Sequence, residues 1–158
     1  MNACKFCQIA SGELAADLVL EDEHALAFLD YRPWRLGHCL VIPRAHYETL
    51  LDVPPQALIP LWTAVQLMAR AMEEGLGAEG SFVAINNRVS QSVPHLHVHV
   101  VPRRRKDGMK GFFWPRESYR DSEEQQRYCR LLREAIQRLR AQGSSTASTP
   151  AKTPATPP

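Results

Sequence analysis

Apolar and polar residues alternate most regularly along Pro94-His95-Leu96-His97-Val98-His99-Val100-Val101-Pro102. A period of two belongs to a strand, so residues 94–101 are expected to be extended. Leu96, Val98 and Val100 then share one face, and His95, His97 and His99 share the other. The apolar face can enter a core while the opposite face carries a row of imidazoles.

The pattern elsewhere predicts four more strands. Residues 17–20 and 25–29 flank the charged turn Glu21-Asp22-Glu23-His24, residues 38–43 are nearly all apolar, as an internal strand would be, and residues 81–86 form the fourth. Helical spacing of Leu58, Leu61, Trp62, Val65, Met68, Ala69, Met72 and Leu76 predicts an amphipathic helix over 54–76. Pro54 and Pro55 open it, where a missing N–H costs least, and Gly75 and Gly77 close it. A short helix is expected over 4–11, ended by Gly12. A last helix starts near Ser122, with Ser122 and Gln125 as a capping box and Tyr128, Leu131, Leu132, Ala135, Ile136 and Leu139 as its stripe. Lys110-Gly111-Phe112-Phe113-Trp114-Pro115-Arg116 reads as an aromatic loop, first as cover for the core and second as a platform for stacking a base. Residues 143–158 are Gly, Ser, Thr, Ala, Pro and one Lys, and bury too little to offset ordering entropy. The expected organisation is one domain, 1–142, and a disordered tail, 143–158.

Composition narrows the class. The chain has 158 residues and is 44% hydrophobic, enough for a sizeable core in one domain. A net charge of +2 gives no argument for nucleic acid, and Arg103-Arg104-Arg105-Lys106 reads first as a solvated turn. No apolar stretch has the length of a membrane span, and no apolar signal block follows Met1-Asn2-Ala3-Cys4-Lys5. The expected compartment is cytoplasmic, with reduced thiols. Cys39 and Cys129 read as small buried hydrophobes. Cys4 and Cys7 have the spacing of a zinc site or of a redox dithiol. Three of the six histidines fall within five residues. Imidazoles titrate near neutrality, attack phosphorus and bind metals.

These motifs together resemble the histidine triad (HIT) family. His95 to Val101 matches its His-x-His-x-His pattern, preceded by Gln91-Ser92-Val93 and, further upstream, Asn86-Asn87. Gly37-His38-Cys39-Leu40-Val41-Ile42-Pro43-Arg44-Ala45-His46 is similar to its Gly-His-x-Leu-Val-Ile-Pro-Lys-x-His segment. Ala27-Phe28-Leu29-Asp30 resembles its strand ending in Asp, and Cys4-x-x-Cys7-x-Ile9 the opening of its zinc-bearing bacterial members.

The resemblance implies an α+β fold, a five-stranded antiparallel sheet with packed helices, and a homodimer paired through helix 54–76. It implies a hydrolase that cleaves adenosine nucleotides at the α-phosphate, either diadenosine polyphosphates or AMP–amine conjugates. His97 would be the nucleophile and form a nucleotidyl-histidine that water resolves. Gln91, Ser92 and His99 would bind phosphate oxygens, with N–H groups near Val93 adding donors and His38 close by. Asp30 would accept the ribose hydroxyls, Phe6, Leu29 and Tyr31 would pack the purine, and Asn86 would face the phosphate side. Cys4, Cys7, His46 and His95 would hold a structural zinc. No membrane or specific nucleic acid partner is implied. The alternative is a nucleotide-binding interaction protein with incidental hydrolysis.

The chain departs from the family pattern between Asn86 and Gln91. The stretch Asn87-Arg88-Val89-Ser90 is short, and Ser90 stands where Gly is usual. Arg88, Arg103 and Arg104 are candidates for distal phosphates.

Overall fold

In the computed structural model, which describes residues 4–109 and 120–124, the chain forms two helices and one sheet. The elements are α1 (Lys5–Ser11), β1 (Leu18–Glu21), β2 (Ala25–Leu29), β3 (Cys39–Pro43), α2 (Pro55–Leu76), β4 (Gly80–Ala84) and β5 (Val98–Arg103). The sheet order is β1-β2-β3-β5-β4, and every pairing is antiparallel. Two compact units divide the chain at Met1–Met109 and Lys110–Pro158. The aromatic loop at 110–116, the stripe of the last helix and the tail at 143–158 lie outside the described residues.

Burial on both sheet faces explains the continuous apolar runs of β2 and β3. On one face Ala25, Ala27, Cys39, Val41, Val98 and Val100 meet Leu61, Ala64, Val65, Met68 and Met72 of α2. On the other, Leu26, Phe28, Leu40 and Ile42 meet Phe6 of α1. Each fully buried Leu or Ile stabilises this arrangement by roughly 1.5–3 kcal/mol. Register sets the geometry of the site. Phe28, Leu40, His99 and Ala84 pair successively across the sheet, so their side chains share the α1 face.

The expected alternation survives in altered form. Pairing in β5 starts at Val98, not at residue 94. His95 and His97 precede the ladder because their backbone is held elsewhere. The His95 N–H donates to the Val93 carbonyl at 2.8 Å, and the Leu96 N–H to the Tyr47 carbonyl at 2.6 Å. Leu96 nevertheless joins Val98 and Val100 in the α2 cluster. A 3-10 turn at Leu50–Asp52, absent from the sequence reading, is closed by a capping box between Thr49 and Asp52. Asp121 Oδ1 accepts the Glu124 N–H at 2.7 Å at the head of the helical turn 122–124, while Gln125, the other half of the expected capping box with Ser122, lies outside the described residues.

Two further devices fix the loops around the site. Arg44 donates to the carbonyls of Asp22 (2.6 Å) and Ala10 (2.9 Å) and to Glu21 Oε1 (2.8 Å), tying the end of α1 to the β1–β2 turn. Gly37 has φ +88°, and a Cβ there would lie 2.5 Å from Leu76 Cδ1. The chain can enter β3 beside the end of α2 only with glycine at that position. No helix among the described residues is long and apolar enough to cross a membrane.

Candidate active site and metal centre

Four histidines, His38, His95, His97 and His99, lie between 0 and 8% exposed on or beside the α1 face of the sheet. A buried imidazole needs partners for both ring nitrogens, and the main chain supplies one to each of three rings. His95 Nε2 donates to the Pro43 carbonyl at 2.9 Å, which leaves Nδ1 with a lone pair. His97 Nδ1 donates to the His95 carbonyl at 2.7 Å, which leaves the lone pair on Nε2. The Trp34 N–H donates to His38 Nδ1 at 3.2 Å, so the proton of His38 sits on Nε2. His38 Nε2 lies 3.1 Å from His99 Nδ1 and donates to it. His99 therefore keeps an Nε2–H. The result is a nucleophile-ready nitrogen on His97 beside a proton-bearing nitrogen on His99, with ring centroids 5.1 Å apart.

Aromatic rings bracket this pair. Phe6 packs edge-on to His97 at 5.3 Å and to Phe28 at 5.4 Å. At the opposite end the Trp34 indole stacks on His99 at 4.6 Å and on His38 at 4.8 Å. Burial, above all, lowers the pKa of His38 and of His97. His99 is pushed down to about 4 by burial and then by its neighbours His97 and His38. All three rings are neutral at pH 7, which a nitrogen nucleophile requires.

The other half of the row faces sulfur. His95 Nδ1 lies 3.5 Å from both Cys4 Sγ and Cys7 Sγ, and His46 Nδ1 lies 3.2 Å from Cys7 Sγ. The four donor atoms fall within 4.8 Å of one another. Tetrahedral zinc places a thiolate sulfur and an imidazole nitrogen about 3.6 Å apart, from bond lengths of about 2.3 and 2.0–2.1 Å. The donor set and its separations fit zinc. His95 has its second nitrogen on a carbonyl, the usual support of a metal-bound imidazole.

The remaining expected residues are placed as follows. Asp30 directly follows β2; its Oδ1 accepts the Arg32 N–H at 2.9 Å, and its Oδ2 lies 3.6 Å from His38 Nδ1. That second distance is Coulombic contact rather than a hydrogen bond. Gln91 is committed to the loops: its Nε2 donates to the Glu48 carbonyl, and its Oε1 accepts the Arg88 N–H at 2.7 Å. Ser92 is exposed, Val93 packs against the Phe6 cluster, and Asn86 is half-buried. Asn87, not Asn86, braces the loop, accepting the Leu50 N–H at 2.9 Å. Tyr31 is exposed in the turn after β2. Leu29 pairs with Cys39, in the row of opposite parity to His99, so it faces the α2 side, away from the histidines. The departure at Ser90 is a backbone feature: Ser90 has φ +59° and Arg88 φ +68°. Both occupy the left-handed region that glycine adopts freely, at a cost of about 1 kcal/mol or more each. Arg104 Nη2 caps α2 by donating to the Leu76 carbonyl at 2.7 Å, and Arg103 pairs with Asp107.

Trp34 and Phe28 take site positions that the sequence reading did not assign. Strand parity could have separated Phe28 from Leu29. Nothing periodic marks Trp34, which lies in a turn.

A five-stranded antiparallel sheet that buries a row of alternating histidines under a short Cys-bearing helix defines a histidine triad domain. The comparisons agree, and the chain belongs to the HIT family: the HIT domain model matches residues 11–106. An uncharacterized HIT-like protein of Methanocaldococcus jannaschii is 42% identical over 107 residues, 66% of this chain and 82% of that one. The adenosine 5'-monophosphoramidase HNT1 of Saccharomyces cerevisiae is 31% identical over 114 residues, 72% of this chain and 70% of that one. The solved structure of a Zn-bound histidine triad family protein from Mycobacterium smegmatis superposes with TM-score 0.65 and 40% identity. That match covers 88% of this chain and 96% of the other. The family includes nucleotide-binding hydrolases.

The depressed histidines predict an acid-sensitive fold. In the folded chain His99 titrates near 4, against 6.5 for a free imidazole. Between those values the unfolded chain binds more protons, so stability rises with pH and is lost as pH falls through the window. The urea midpoint should drop as pH is lowered from about 6.5 to about 4, and His99→Gln should flatten that dependence. An unchanged slope in the variant would contradict the assignment.

Proposed function

We propose that the protein hydrolyses adenosine nucleotides at the α-phosphate, with dinucleoside polyphosphates or AMP–amine conjugates as substrates. The observation that carries this reading is the paired tautomer state: a free lone pair on His97 Nε2 next to a donor on His99 Nε2. His97 Nε2 bonds to phosphorus as the bond to the leaving group breaks, giving a nucleotidyl-histidine. Water then attacks phosphorus, the P–N bond breaks, and the nucleoside monophosphate leaves. Dividing one displacement into two lowers each barrier. His99 Nε2–H and the exposed Ser92 hydroxyl donate to the phosphoryl oxygens as charge builds on them, and the Val93 region adds backbone N–H groups. One such donor is worth about 3 kcal/mol. Gln91 and Asn87 brace the loop that carries Ser92, and Asn86 serves the phosphate side. Asp30 turns Oδ2 to the ribose hydroxyls, and Phe6 and Tyr31 meet the base. HNT1, a relative by sequence, is a phosphoramidase by its name, which favours the phosphoramide class.

Zinc in this reading is structural. Cys4, Cys7, His46 and His95 form a closed Cys2His2 set with no open position, so the ion supplies cross-linking rather than activated water. It joins α1 to the segment that bears His97. The protein also acts as a homodimer. Strand β4 is an edge of the sheet, and beside it Ile59, Trp62 and Val83 line an apolar cleft of about 530 Å³. Ile59 is 74% and Trp62 43% exposed, as suits an unpaired interface.

Three outcomes are expected. His97→Ala should lower kcat/KM at least about thousandfold across a panel of diadenosine tetraphosphate, diadenosine triphosphate and an adenosine phosphoramidate. Slow cleavage of all three that survives the substitution would favour the binding-protein reading instead. Cys7→Ser should take zinc from about one equivalent per chain to near zero by elemental analysis and lower Tm. Full zinc content and an unchanged Tm would sink the metal assignment. Trp62→Arg should turn a dimer into a monomer by light scattering, and a dimer that persists would place the interface elsewhere.

A further inference from the structure

Trp34 touches the site twice. Its backbone N–H donates to His38 Nδ1 at 3.2 Å. Its indole lies nearly parallel to both imidazoles, 24° from His38 and 19° from His99, at 4.8 and 4.6 Å. The ring centroids of Trp34 and Phe82 of β4 lie 6.5 Å apart. One residue thus sets the tautomer of the first ring through its main chain and holds both rings through its side chain. Trp34 is itself 53% exposed, whereas the histidines it covers are buried. A large apolar side chain half in water, in neither hydrophobic cluster of the described residues, is explained by what it covers.

The hydrogen-bond chain needs such a cover. His38 Nε2–H reaches His99 Nδ1 over 3.1 Å, and among the described residues the His99 ring is otherwise bounded only by the edge of His97 and by the Trp34 indole. If that ring turns by half, its Nε2–H no longer faces the phosphoryl position, and the donor is lost. A stacked indole hinders the out-of-plane swing about Cβ–Cγ by which either imidazole would flip, and it covers the 3.1 Å bond against competing water.

We propose that Trp34 is a positioning residue for phosphoryl transfer: it clamps the His38–His99 pair so that His99 presents its Nε2–H to a non-bridging oxygen of the α-phosphate. The inference rests on the proposed hydrolase reading. It assigns the indole to a step in which oxygen charge increases, so its effect belongs in kcat rather than KM.

The test uses the full chain with an adenosine phosphoramidate and its α-phosphorothioate, in which sulfur replaces one non-bridging oxygen and accepts hydrogen bonds poorly. Trp34→Ala should lower kcat about tenfold on the oxygen substrate with KM changed less than about twofold. For the thio isomer whose sulfur faces His99, the loss should shrink to about twofold, because the donor is already wasted there. Trp34→Phe, which keeps a stacking ring, should stay within about threefold of the parent. In 15N spectra His99 should show one Nε2–H tautomer in the parent and averaged signals in Trp34→Ala. Equal losses on both substrates and both thio isomers, or full activity in Trp34→Ala, would overturn the proposal. So would a His99 spectrum unchanged by the substitution, a readout that stands even if His97→Ala remains active and the hydrolase reading itself fails. Zinc content and Tm of each variant separate a local effect from a folding defect.

Discussion

The site depends on a main-chain constraint: backbone groups fix which nitrogen of each buried histidine carries its proton. Pro43 holds His95, the carbonyl of His95 holds His97, and the N–H of Trp34 holds His38, which in turn holds His99. Leaving any of these ring nitrogens buried and unpaired would cost about 1–3 kcal/mol, so the tautomers are enforced by folding rather than chosen by substrate. Carbonyls accept only, which makes His95 and His97 donors on one side and bases on the other. The accident of which side differs: His95 turns Nδ1 to the cysteines, and His97 leaves Nε2 on the side of His99. Two neighbouring imidazoles with one backbone between them thereby serve different chemistries.

In the proposed function this arrangement couples metal and catalysis without a shared atom. The carbonyl of His95 orients His97, and the ring of His95 is anchored among Cys4, Cys7 and His46. A cross-link there also places α1, and with it Phe6, against His97. Arg44 ties the other end of α1 to the β1–β2 turn. The N-terminal helix has only seven residues and would be marginal alone. It is held from both ends because it forms one wall of the site.

Much of this was legible in the sequence because burial has a period. The alternation around His97 named the face, the continuous apolar run 39–43 named an internal strand, and the stripe of α2 named its packing side. Cys-x-x-Cys gained meaning only with His46 and His95 in reach, which the motif order supplied and the 3.2–3.5 Å separations support. Parity errors and turns were harder. Leu29 and Phe28 are adjacent in sequence and opposite in space, and the register against Leu40 and Cys39 separates them. Trp34 left no trace in any period because its position comes from a turn that folds back over the sheet. Gln91 carries a polar side chain that reads equally well as a ligand or as a loop brace, and the structure uses it as a brace. The left-handed conformation of Ser90 is likewise invisible in its side chain.

In the proposed reaction a histidine nitrogen, not water, meets phosphorus first. The stereochemical course at phosphorus tests it most directly. A chiral α-phosphorothioate substrate hydrolysed in 18O water reports the number of in-line displacements. Two displacements through His97 predict net retention of configuration. Net inversion would mean a single attack by water and would contradict the covalent account, whatever the fate of the histidine variants.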